Sequence, residues 1–89
     1  MKDLRQRAWL FLEESLPDEI AIGYVPGSLT EMIIGNYASG GKFTPELVSM
    51  AKLCLKELDH TISSVYTEAA RDYFIRCRRL LTEILQEVS

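Results

Sequence analysis

The sequence is short of nearly everything that marks a specialised chain. It has one histidine, one tryptophan, two cysteines, three prolines and five glycines in 89 residues. A lone histidine leaves little for a histidine-based metal site, and Cys54 and Cys77, 23 positions apart with no CxxC pair, spell neither a zinc site nor a disulfide scaffold. Both are read as reduced core residues, the usual place of free cysteine. The longest uninterrupted apolar run, Ala8 to Leu12, has five residues. A membrane span takes about 20 and a signal h-region takes more than this run offers, so the expectation is a cytoplasmic protein with no membrane contact. There is no basic excess either: ten Lys and Arg face thirteen Asp and Glu, a net charge of −3. That balance disfavours nucleic acid as a partner.

What is present is apolar residue at helical spacing. With 47% hydrophobic and 26% charged residues the composition is that of a folded globular chain. Its length suits a single domain, 1–89, that buries roughly 60–65% of its unfolded surface. From Lys2 to Ser15, Leu4, Ala8, Phe11 and Leu12 share one face, predicting an amphipathic helix that ends near Leu16, because Pro17 disfavours helix at the residue before it. Pro17 to Ser28 reads mostly as loop, with a short extended piece allowed. Its Ile20, Ala21, Ile22, Tyr24 and Val25 are apolar enough to pack down on the helices. Ser28-Leu29-Thr30-Glu31 is a capping box opening a second, short helix, with Met32, Ile33 and Tyr37 or Ala38 as its buried face. Gly40-Gly41 ends it. Thr44 as N-cap, Pro45 at the first helical position and Glu46 at the positive end of the dipole start the third.

From Pro45 to Ser89 neither glycine nor further proline interrupts the chain. Leu47, Val48, Met50, Ala51, Cys54, Leu55 and Leu58 cover one arc. Tyr66, Ala69, Ala70, Tyr73, Phe74, Cys77, Leu80, Leu81, Ile84, Leu85 and Val88 cover a second, turned about 90° from the first on an unbroken helix. One continuous rod would be about 66 Å long and would need a second copy to cover it. A break at Asp59-His60-Thr61, where Asp59 and Thr61 are competent caps, gives instead a hairpin of the third and fourth helices. The expectation is therefore an all-α bundle of about four helices with a long C-terminal helix, the compact hairpin being favoured over the continuous helix in a dimer.

Motifs that carry chemistry are near misses. Gly35 to Thr44 approaches the phosphate-loop pattern GxxxxGK[ST], but Gly41 stands where lysine is needed and Phe43 follows Lys42. The reading is a glycine helix stop with Phe43 packed against Leu47. His60-Thr61-Ile62-Ser63-Ser64 resembles, over five residues, the phosphoacceptor stretch of histidine phosphotransfer domains, yet Ser63 and Ser64 replace the lysine and glycine that usually follow that histidine. His60 is read as a surface or helix-end residue, and the chain as having no catalytic residue. The carboxylates lack calcium-loop or di-iron spacing, so no metal and no cofactor is expected.

Partner contacts offer more. Arg71, Arg76, Arg78 and Arg79 concentrate on the last helix, with Arg71 and Arg78 beside its apolar arc. Leu10 falls opposite the stripe of the first helix, and Leu53 falls amid Glu46, Lys56 and Glu57 of the third. Trp9, next to Leu10, is an aromatic of the kind enriched at interfaces. The candidate interaction residues are thus Trp9, Leu10, Leu53, Arg71 and Arg78. The expected role is a noncatalytic protein-binding module that associates with another protein or with itself as a homodimer. A helix-turn-helix DNA-binding regulator is the alternative, opposed by the long Ser39–Phe43 linker and by Thr44-Pro45-Glu46-Leu47 at the start of its would-be reading helix.

Overall fold

A computed structural model describes residues 3–14 and 29–88; the capping box serine and the Pro17–Ser28 connection lie outside the described residues. Among the described residues four helices follow in chain order: α1 (Leu4–Glu13), α2 (Leu29–Ala38), α3 (Pro45–Ser64) and α4 (Glu68–Val88). No strand occurs among the described residues. The expected all-α bundle is what the chain forms. The longest pair, α3 and α4, packs as the hairpin, while α1 and α2 pack on each other and close the bundle against α4 and α3 respectively. The greatest extent is 34 Å, so the continuous rod does not form.

Local chemistry sets most boundaries. Asp3 caps α1 by accepting from the Gln6 amide at 2.7 Å, and Glu14 leaves the helix in an extended conformation. The helix thus closes at Glu13, three residues before the expected Leu16. After α2, Gly40 adopts φ 82° while its amide donates to the Tyr37 carbonyl and the Gly41 amide to the Asn36 carbonyl, a Schellman stop. The Asn36 side chain donates to the Lys42 carbonyl at 3.3 Å, and a Cβ on Gly41 would lie 2.2 Å from the Asn36 Oδ1. The glycines therefore serve a turn. Thr44 caps α3 through the Leu47 amide at 3.2 Å, with Pro45 following, as the sequence indicates.

The hairpin break is displaced from its expected place. Helix α3 runs through Asp59, His60 and Thr61 to Ser64, and the link is Val65–Thr67. Thr61, Ser63 and Ser64 each donate their hydroxyl to the carbonyl four residues back within α3, so none of them caps a new helix. Asp59 is engaged by Arg78 and does not cap. The capping hydroxyl belongs to Thr67, which accepts from the Ala70 amide at 3.2 Å. Tyr66, expected in the buried arc, sits in the link with 92% of its surface exposed, and Ala69 is exposed as well.

The core joins Ala8 and Phe11 of α1, Ile33, Ile34, Tyr37 and Ala38 of α2, Ala51, Cys54 and Leu58 of α3, and Ala70, Tyr73, Cys77, Leu80, Leu81, Ile84 and Leu85 of α4. Phe11 stacks on Tyr73 at 4.9 Å, and Tyr37 meets Phe43 edge-on at 6.3 Å. Phe43 and Leu47 are partly buried and pack on the same core. Met32, expected inside, is 63% exposed. Leu12 comes alongside Gly35, so the buried stripe of α2 is turned toward Ile34 and Ala38 and away from Met32.

The two sides of α4 differ accordingly. Leu81→Ala empties a fully buried site and is expected to cost about 2–5 kcal/mol in urea unfolding. Ile75→Ala, on the exposed side, is expected within about 0.5 kcal/mol of wild type.

Candidate protein-interaction surface

Helix α1 lies along α4 held by two reciprocal ion pairs. Arg7 forks onto Glu83, its Nη1 donating to Oε1 at 3.1 Å and its Nη2 to Oε2. Arg76 donates to both oxygens of Glu14 at 2.7 and 2.6 Å and also to Asp72 at 2.9 Å. Arg7 to Glu14 on α1 and Arg76 to Glu83 on α4 each span two helical turns, so the pairs fix an antiparallel register. Midway between them stand Leu10 on α1 and Arg79 on α4.

The result is a hollow of about 300 Å³ between the helices, lined by Arg7, Leu10, Phe11, Glu14, Arg76, Arg79 and Leu80. Arg79 also lines a second hollow of about 390 Å³ on the outer side of α4, with Ile75, Arg78, Thr82, Glu83 and Gln86. The two therefore form one continuous face. Leu10 is 43% and Ile75 39% exposed on it. Arg79 makes no hydrogen bond or ion pair with any described residue; its charge acts only at a distance, helping to hold Glu83 ionised.

Electrostatics follow these contacts. The hydrogen bond from Arg7 holds the Glu83 carboxyl below its ordinary 4.5, against the opposing effect of burial, and Glu83 in turn raises Arg7. Arg76 is raised by Glu14 first and by Asp72 second. In the interior, burial pushes the Cys77 thiol up to about 12, so it is a protonated core group at neutral pH rather than a nucleophile. Burial and then its 2.6 Å hydrogen bond to Glu87 likewise raise Tyr37 to about 12.

The other sequence candidates fall elsewhere. Trp9 is 47% exposed, but it stands about 100° from Leu10 around α1, so the two do not share a face. Leu53 is 58% exposed on the outer side of α3, the helix diagonal to α1. Arg71 donates to the Val65 carbonyl at 3.2 Å and closes the α3–α4 link, and Arg78 pairs with Asp59 across the hairpin. Both arginines are thus committed within the chain. His60 is exposed on α3. Ile75, Met32 and Arg79 were missed as site residues. Ile75 was readable in the same way as Leu10, as an apolar residue opposite the stripe of its own helix. Among the described residues no three metal-ligating side chains gather, and no described helix is long and apolar enough to cross a membrane.

The Arg7–Glu83 pair gives a pH signature. Because the folded carboxyl titrates below its unfolded value, the stability it contributes is full above about pH 4.5 and disappears as pH falls through the lowered value. Urea midpoints of wild type and Glu83→Gln should differ modestly at pH 7, as suits a half-exposed pair, and the gap should narrow as pH is lowered from 4.5. A gap that stays constant or widens on acidification contradicts the assignment.

Comparison of the chain with protein-family models, with curated proteins and with solved structures returns no match, so the surface stands on its geometry alone.

Proposed function

We propose that the chain is a noncatalytic protein-binding module of the cytoplasm, acting through helix–helix association. The observation that carries the reading is Leu10 exposed opposite Arg79, which pairs with no described residue, in a groove whose flanks are pinned by two ion pairs. An apolar anchor beside a cation on a rigid two-helix platform suits an incoming amphipathic helix. The pinning matters energetically, since side chains already held in place lose less freedom when a partner arrives. Leu53, on the far side of the bundle, supplies a second apolar point of contact. Reduced Cys54 and Cys77, buried in the core, suit a reducing compartment.

The test compares immobilised wild type with the Leu10→Asp/Leu53→Asp double variant, both shown to be equally helical by circular dichroism. Wild type should retain a protein in stoichiometric amount, either free copies of itself or a component of host extract, and the double variant should retain less than about a tenth as much. Equal retention by the two, or retention by neither, contradicts the proposal.

A further inference from the structure

The acidic and apolar counterpart of the α1–α4 groove lies on the same chain. Glu46, Met50, Leu53 and Glu57 follow one another at intervals of four, three and four residues, which makes them a single stripe on α3. Leu53 is 58% exposed and Met50 half-buried. Glu46 and Glu57 are exposed, and their carboxylates make no ion pair with any described residue. The other flank of α3 carries Asp59, which pairs with Arg78 of α4, so the stripe faces away from that helix. The groove offers Leu10, and the adjoining outer side of α4 offers Ile75, on either side of Arg79, a cation with no partner among the described residues; the stripe offers Met50 and Leu53 between two anions that likewise pair with no described residue, with Lys56 at its edge.

Within one molecule the two cannot meet. Helices α1 and α3 are diagonal in the bundle, each packed on α2 and α4, and Leu10 and Leu53 look outward from opposite sides. The geometry points to a second copy of this chain as the occupant of the groove: α3 of one copy lays Met50 and Leu53 against Leu10 and Ile75 of the next, with Glu46 or Glu57 reaching Arg79. This rests on the binding-module reading and gives it a partner. A two-fold arrangement of like faces is opposed by charge, since groove on groove brings Arg79 to Arg79 and stripe on stripe brings the glutamates together. The contact is therefore head-to-tail. Each copy presents one groove and one stripe, so association continues into a ring or a chain.

Such a contact has a signature that a symmetric dimer lacks. Leu10→Asp spoils the groove and keeps the stripe; Leu53→Asp does the reverse. In light scattering after size exclusion under reducing conditions, the wild-type mass should rise with concentration above the 10.1 kDa monomer. Each single variant should stay monomeric, its self-association weakened about 100-fold or more. An equimolar mixture of the two should form a 1:1 complex of twice 10.1 kDa and stop there. Arg79→Glu, at a residue outside every ion pair among the described residues, provides an independent check: association about tenfold weaker than wild type. A mixture that remains monomeric while wild type associates overturns the head-to-tail contact, as does wild-type-like association of either leucine variant. Wild type that is monomeric at every concentration also overturns it. The binding-module reading then survives only if immobilised wild type retains a different protein that the double variant does not.

Discussion

Burial of Tyr73, Cys77, Leu80, Leu81, Ile84 and Leu85 along one side of α4 is the contact that the other helices depend on. Helix α3 returns against that side through Ala51, Cys54 and Leu58, and α1 reaches it through Ala8 and Phe11, whose ring stacks on Tyr73. Neither α1 nor α2, at ten residues each, is long enough to hold its shape alone in water. Their order comes from the α4 surface and from each other.

Once α4 is fixed on its inner side, its outer side is fixed too. The same helix that delivers Leu80 to the core delivers Arg76, Arg79 and Glu83 along the edge where α1 lies. Two of those charges find partners on α1 and the middle one meets Leu10. Half-exposed ion pairs of this kind add little stability, so their main consequence is register. A slip of α1 by one turn would break both pairs and cover Leu10 differently. The surface proposed for binding is in this sense a by-product of how α1 is docked.

How much of this was legible beforehand depends on whether the deciding chemistry is local. Thr44-Pro45 and Gly40-Gly41 act within a few residues, and the starts and stops they imply are where the chain puts them. Thr61 was ambiguous because a hydroxyl either caps a new helix or bonds back to the turn before it; here it donates to the Glu57 carbonyl and α3 runs on to Ser64. Met32 against Ile34 was a choice of about 100° in how α2 rolls, settled by where α1 lies. Leu10 and Leu53 stood out as apolar residues in the wrong sector. The commitment of Arg78 to Asp59 and the isolation of Arg79 were out of reach, since both follow from registers between helices far apart in sequence.

The central claim is that two separate faces, not one, take part in association. Amide chemical shifts followed by NMR as the pure protein is concentrated test it directly. The account predicts shifts in two patches that move together with one apparent affinity, around Leu10, Ile75 and Arg79 and around Glu46, Met50, Leu53 and Glu57. Shifts confined to a single patch, or none at all, would contradict it.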